Sequence, residues 1–466
     1  MTVTRRDFVK TTAAGMIGAA SQMSRSWAAG DDNKSKRCDL HVAPFHFDVT
    51  PPLGHSLCGG WIPPVLGYDD ALDAIGLVLL GAGQPIVLCT VDWVGLLNDA
   101  HLGWRNALAE AAGTIPERVA VQCVHQHNAP LVCLNAETIV SQHGDLPHIV
   151  DLDFFRRCLD RARQSVAEAI PRAQRVTRVA YGQAKVEKVA SNRRVYRDEN
   201  GVVIDNRSSS CTDPKMRALP EGLIDPFLKT VALYSGDQKL AACHYYATHP
   251  MSYYGDGRVT SDFAGLARRR RQKDEPDCTH IYFTGCAGNI AAGKYNDGSK
   301  AARRTLTQRV YDGIVGSESQ MQSHELEKLG WRTVDFLPPP RADLDEGEIA
   351  KQIADRNNRL VDRNRPSFPL AWLERHARRE PIVLSALHLD NIVLLHLPAE
   401  PFVQYQLRAQ KFAPERFVAT AGYGDGGPWY FPTREEYSRG GYEVRVTWSD
   451  RMADGLLTEG IRQLVS

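Results

Sequence analysis

Short runs of β-branched and aliphatic residues alternate along the chain with longer stretches in which apolar positions recur every three or four residues. The first pattern predicts strands and the second amphipathic helices, so their alternation predicts an α/β architecture of mixed central sheet or sheets flanked by helices. Strands are expected at 85–91, 118–124, 176–181, 230–233, 239–246, 280–284, 382–389, 391–397 and 416–421. Helices are expected at 98–111, 153–169, 263–272, 300–315, 346–364 and 401–411. No internal repeat or low-complexity tract is visible. After the prolines at 338–340, the charge-rich stretch to about residue 380 reads as a helical insertion, a surface lid or packing layer. His125, His249, Gly285 and Glu400 each fall within a few residues of the C-terminal end of an apolar run, followed by Pro, Gly or Asn turn chemistry. That is where α/β sheets build sites, so several strands should deliver polar groups to one rim.

Composition narrows the class. At 466 residues, 43% hydrophobic and 24% charged, the chain reads as a soluble globular protein rather than a disordered or membrane-embedded one. Its 56 basic and 55 acidic residues give no electrostatic case for nucleic acid. The basic run Arg268 to Arg271, then Lys273, reads as a solvated helix face. Near the start, Thr4-Arg5-Arg6-Asp7-Phe8-Val9-Lys10 precedes the weakly apolar Ala13 to Ala20 and the small-residue site Ser26-Trp27-Ala28. This predicts a twin-arginine signal over 1–29, a polar linker over 30–37 and a catalytic body over 38–466. The twin-arginine export machinery would then deliver a folded protein to the periplasm or beyond. Ten cysteines form no C-x-x-C pair, which argues against a thiolate-held zinc. Cys89, Cys123 and Cys243 read as buried small hydrophobes, while disulfides among the others stay open.

Four segments carry candidate chemistry. Val124-His125-Gln126-His127-Asn128-Ala129-Pro130 sets two imidazoles two residues apart, where an extended backbone would place them on one face. They are either core-edge histidines or a ligand beside a proton carrier. Ala247-Thr248-His249-Pro250 ends another strand. In Leu397-Pro398-Ala399-Glu400-Pro401-Phe402 an acid sits in apolar surroundings, where burial demands a compensating partner that a metal would supply. The fourth segment is the glycine- and aromatic-rich stretch Gly422 to Tyr430, leading into Glu435-Glu436-Tyr437.

Together these segments resemble the neutral ceramidase family, the neutral/alkaline non-lysosomal type. The resemblance runs from Phe47-Asp48-Val49-Thr50-Pro51-Pro52-Leu53-Gly54, through the His125 segment, Asn192-Arg193, Ala247-Thr248-His249, Gly285-Cys286-Ala287-Gly288-Asn289 and Leu397 to Glu400, to Tyr430-Phe431-Pro432-Thr433-Arg434-Glu435-Glu436-Tyr437. It implies that family's catalytic-domain fold without the C-terminal immunoglobulin-like domain. It also implies a zinc ion held by His125, His249, Glu400 and Tyr430, with Tyr423 and Tyr437 as alternative phenols. Two imidazoles, a carboxylate and a phenolate suit zinc. His127 and Arg193 would lie beside the scissile bond, Arg194 being an alternative to Arg193. Asp262 is either an orienting group behind the ligands or a helix N-cap. The implied reaction is hydrolysis of an amide in a small molecule or N-acylated lipid, with contact at the membrane periphery for a lipid substrate. Zinc-dependent ester cleavage, another amidase activity, or ligand binding without turnover are the alternatives. The glycine turn departs from the family's G-D-V-S-P-N, because Gly288 brings no hydroxyl, and this weakens ceramide as the substrate.

Overall fold

The computed structural model describes residues 39–81 and 83–466; the signal and linker expected over 1–37 lie outside the described residues, as does Cys38. The expected mixed sheets flanked by helices form, as three large sheets beside several two-stranded ones, and each large sheet is built by the same succession of strand a, strand b, strand c, helix, strand d, helix. In the first repeat strands a to d are His41–Asp48, Asp73–Leu80, Ile86–Val91 and Val119–Cys123, with helices Asp99–Ala112 and Leu152–Ala169. In the second they are Arg178–Lys185, Phe227–Ser235, Gln238–Tyr246 and Thr279–Thr284, with helices Asp262–Asp274 and Lys300–Ser319. In the third they are Leu329–Phe336, Ile382–Leu389, Ile392–His396 and Phe417–Ala421, with helices Val403–Phe412 and Ala453–Val465. The order across every large sheet is d-c-b-a. Strand b runs antiparallel to both neighbours, and d runs parallel to c. Parallel pairing requires a crossover, which the first helix of each repeat supplies.

The expectation of no internal repeat is thus corrected at the level of topology. In all three repeats the second helix packs on strand a, and the two helices pack on each other. After the first and second repeats the chain adds one more antiparallel strand beside strand a, Gln174–Arg175 and Gln322–Glu325 respectively.

Alternation along the strands explains the layering. Ile75, Leu77 and Leu79 of the first sheet, Val231, Cys243 and Tyr245 of the second, and Ile392 and Leu394 of the third share one core between the sheets. Their neighbours Ala74, Val78, Val393 and Leu395 face outward into the core that the helices cover. Strands buried on both faces read as continuous apolar runs, and each fully buried aliphatic side chain contributes about 1.5–3 kcal/mol. Nine cysteines, all buried, are free in the described residues. No described helix is long and apolar enough to cross a membrane.

Most predicted elements form within a few residues of their expected bounds, with three differences. The helix expected over 346–364 is two, Glu346–Ala354 and Leu360–Asn364. Between them the Asp355 carboxylate accepts from the backbone N–H of Asn357, a turn that competes with helix. Strands His41–Asp48, Asp73–Leu80 and Leu329–Phe336 escaped prediction because His, Pro, Asp and Arg interrupt two of them and the third opens on Asp-Ala with a central glycine. The basic run is not a solvated face either. Arg268 is buried, 2.7 Å from Asp73, and Arg271 pairs with Glu275 and Glu318.

A candidate metal centre where the three repeats meet

The C-terminal ends of strands c and d of all three sheets converge. Hydrogen bonds close a ring around the three d strands: Thr284 Oγ1 donates to Val124 O (2.6 Å), Gly422 N to Thr284 O (2.8 Å) and Cys123 N to Tyr423 O (2.7 Å). The residue two beyond strand d is His125 in the first repeat, Cys286 in the second and Tyr423 in the third. Three or four residues beyond strand c stand Val94, His249 and Glu400. Equivalent positions of three sheets therefore furnish an imidazole from the first, an imidazole from the second, and a carboxylate and a phenol from the third.

These side chains meet. His125 Nε2 is 3.2 Å from His249 Nε2, and Glu400 Oε2 lies 3.3 Å from the first and 3.1 Å from the second. All three are buried. His125 Nδ1 is 2.6 Å from Val94 O, and His249 Nδ1 is 2.7 Å from Ala287 O and 3.1 Å from Ile290 O. A carbonyl can only accept, so both Nδ1 atoms carry the proton and both Nε2 lone pairs point at one another and at a carboxylate. Three lone-pair donors face to face repel unless a cation stands between them. Tetrahedral ligands at zinc distances lie about 3.3 Å apart, which these three separations match. Glu400 Oε2 finds no hydrogen-bond donor among the described residues, as expected of an atom reserved for an ion. The donor set fits a divalent metal.

The charges agree with that arrangement. Burial pushes the Glu400 pKa up, and what lowers it is positive charge facing it from the side of His125 and His249; with both rings neutral, a cation between them would supply that charge. Burial lowers the His249 pKa and keeps the ring neutral, as a ligand must be. Four non-glycine residues of the centre have positive φ, namely His125 (76°), Ala399 (54°), Tyr423 (61°) and Trp429 (69°). L-residues adopt this region at a cost that a rigid surrounding must offset, which is characteristic of working sites. It also corrects the expected extended geometry of the His125 segment. The left-handed turn nevertheless leaves the rings of His125 and His127 with centroids 5.0 Å apart.

His127 is half-buried, and its Nε2 has no partner among the described residues. Burial, then the neighbouring His125 and His249, lower its pKa well below the ordinary range, so it stands neutral with a free lone pair. Parallel pairing sets Tyr430 beside Glu400. The Arg193 guanidinium bonds to Tyr430, lies 5.2 Å over the Tyr442 ring and comes within 3.5 Å of Glu443. Burial disfavours its charge, but Tyr430, Glu443 and Tyr442 together raise its pKa. Tyr423 stacks on His125 at 4.2 Å with its hydroxyl 3.4 Å from His249 Nδ1. Both phenols thus belong to the centre.

Three candidates lie elsewhere. The Tyr437 hydroxyl donates to Ser449 O, which removes it as a ligand. Arg194 is consumed by Glu436 and Glu443, each at 2.7 Å, and cannot serve in place of Arg193. Asp262 is the first residue of its helix rather than the cap, which is Ser261. Its carboxylate accepts from Ser252 N at 2.9 Å and so braces the loop after His249. Sequence reasoning missed Trp61, Tyr254, Tyr442, Glu443 and the clamp of Asp425 by Arg375 at 2.5 Å. The signal for Trp61 was present in Cys58-Gly59-Gly60, a run that only a tight left-handed turn requires.

No protein-family model and no curated protein matches the sequence. Solved structures do match. The chain is similar to a neutral ceramidase from Pseudomonas aeruginosa, at 17% identity and a TM-score of 0.68, over 92% of this chain and 74% of that one. It is similar also to a ceramidase complexed with C2, at 16% identity and a TM-score of 0.66, over 92% and 75%. The triple α/β arrangement that gathers His125, His249 and Glu400 is the neutral ceramidase fold.

Proposed function

We propose that this protein is an exported zinc-dependent hydrolase that cleaves an amide bond. The observation that carries the reading is the triangle of His125 Nε2, His249 Nε2 and Glu400 Oε2, with sides of 3.1 to 3.3 Å and both Nδ1 protons committed to carbonyls. A zinc ion held there, with Tyr430 or Tyr423 beside it, would polarise a carbonyl and acidify water to a pKa of about 7. The chain's own residues supply the remainder. His127, neutral and with no partner at Nε2 among the described residues, takes a proton from the attacking water and returns it to the leaving amine. Arg193, fixed through Tyr430 and Glu443, faces the oxygen on which negative charge develops. Ceramidase folds in the matched structures support an amide as the bond cleaved. Ceramide itself is disfavoured, because at Gly288 an added Cβ would stand 2.4 Å from Glu400 O, leaving no room for the serine of the family pattern. The twin-arginine sequence at residues 4–10 supports export to the periplasm.

The test is metal analysis of the purified protein beside a panel of N-acyl amino acids, N-acyl amino alcohols and simple esters. About one zinc per chain is expected, with amidase activity lost on chelation, restored by zinc, and absent from His125→Ala and Glu400→Gln together with the bound metal. A full metal complement without amide cleavage, or esters alone as substrates, would reject the assignment.

A further inference from the structure

The connections from strand a to strand b hold the rim of the site in all three repeats, spanning 49–72, 186–226 and 337–381. The first supplies Trp61, the second Arg193 and the third Arg365. Cys58, Gly59 and Gly60 run at φ of 47°, 65° and 80° directly before Trp61. A Cβ at Gly59 would lie 2.9 Å from Phe368 and 3.0 Å from Leu131, so the turn is pinched between the third connection and the segment after His127. That fixes Trp61. Its ring packs edge-on against Trp429 (5.2 Å) and Phe368 (5.7 Å), and Trp429 shares a cavity with His125, Glu400 and Tyr423.

Over Trp61, at 4.6 Å, lies the guanidinium of Arg365. Arg365 is exposed and has no carboxylate at ion-pair distance among the described residues. Most other arginines of the same connection are paired: Arg341 with Asp343, Arg356 and Arg363 with Asp145, Arg359 with Asp362, Arg375 with Asp425 and Arg378 with Glu380; Arg379, just before strand b, shares with Arg365 the lack of such a carboxylate among the described residues, but only Arg365 lies over Trp61. Trp61 Nε1 is also a donor without an acceptor among the described residues. Arg193, from the second connection, lies 5.2 Å over the Tyr442 ring, and Tyr442 packs on Tyr430 at 5.9 Å. Tyr254 packs on His127 at 5.2 Å and is 46% exposed, which places this ring at the mouth of the site. A guanidinium laid on an indole keeps its N–H edge free for bidentate contact with a carboxylate or sulfonate.

Building on the amide-hydrolase reading, we infer that Arg365, held over Trp61, binds an anionic group of the substrate, so that the protein acts on acidic amides of the N-acyl amino acid class in preference to neutral N-acyl amino alcohols. Arg193 serves the scissile carbonyl and Arg365 the remote anion. The two charges therefore read two different parts of one molecule.

The test compares an N-acylglycine with the N-acylethanolamine of the same chain length as substrates for the zinc-loaded enzyme. In parallel, non-hydrolysable sulfonamide isosteres of both are titrated by tryptophan fluorescence. The acidic substrate is expected to have the higher kcat/KM. Arg365→Ala should reduce the acid-over-neutral preference by about tenfold or more, chiefly through KM, with Arg365→Lys recovering part of it. The isosteres should show the same preference in Kd. If the wild type binds the acidic isostere no more tightly than the neutral one, or if Arg365→Ala lowers both substrates in proportion, the inference is overturned while amide hydrolysis stands. If the acidic isostere binds with an Arg365-dependent preference and no amide is cleaved, anion recognition stands and the hydrolase reading falls.

Discussion

Gly288 shows how one missing side chain sets the geometry of the centre. Its N–H donates to Pro401 O at 2.9 Å, and its Cα faces the Glu400 carbonyl so closely that any Cβ would sit 2.4 Å from that oxygen. The glycine turn of the second repeat is thereby laid directly on the backbone that presents Glu400. Gly288→Ser and Gly288→Ala are expected to cost the same, about 1–3 kcal/mol by thermal unfolding, because the clash is with backbone that cannot step aside. Both should lose metal with stability, since the strain falls on the carboxylate's own residue. A serine variant of wild-type stability with new ceramide cleavage would contradict this. At this scale much was legible: His125, His127, His249 and Glu400 each stood out as a polar residue closing an apolar run. The choice among tyrosines was not legible, because the sequence does not say that the loop leaving Phe417–Ala421 folds back to stack Tyr423 on His125 while Tyr437 turns to Ser449.

Among elements, the helix Ser367–Ala377 does more than cover the surface. Its Phe368 and Trp372 are fully buried, and Arg375 reaches the Asp425 carboxylate, which also accepts from Asn98 N (2.9 Å) and Gly427 N (3.0 Å). Burial raises the Asp425 pKa, but the Arg375 guanidinium outweighs it and holds the group ionised. The insertion thus clamps the loop 422–430, which carries Tyr423, Trp429 and Tyr430. Arg375→Met strands a buried carboxylate and should cost about 3–5 kcal/mol in urea unfolding, with kcat falling as the loop loosens. Asp425→Asn added to it should restore part of the stability, the signature of a coupled pair. Additive losses would show that the two residues act separately. The charge-rich composition of this segment suggested a lid, but the alternation of surface pairs such as Arg359–Asp362 with the buried Arg375 is invisible until the partner at Asp425, fifty residues on, is brought beside it.

The whole molecule is three variations on one chain path, and the sequence conceals this for a physical reason. Sheets buried on both faces require only apolar residues in strands, which many sequences satisfy. The positions that the topology makes equivalent differ because they face one another across the centre: His125, Cys286 and Tyr423 after strand d, and Val94, His249 and Glu400 after strand c. Each repeat brings a different side chain to the one centre, so the repeats are least alike where likeness would be most visible. The same burial that makes the sheets also imprisons imidazoles away from the centre. Burial drives the pKa of His244, His280 and His396 down to about 3, and that of His101 and His388 down to about 4. In the unfolded chain these rings take up protons near pH 6.5. Between the two values the unfolded state binds more protons than the folded one. Stability from these rings is therefore complete above about pH 6.5 and declines as pH falls toward 4, each site contributing up to about 1.4 kcal/mol per pH unit. Urea midpoints measured from pH 7 to pH 5 should fall accordingly. His396 offers the cleanest dissection, since its Nε2 has no partner among the described residues and its Nδ1 meets only Ser385 Oγ at 3.3 Å. His396→Phe should keep most of the stability at pH 7 and remove one proton's share of the decline; an unchanged pH slope would show that this ring is protonated as readily in the folded protein as in the unfolded chain.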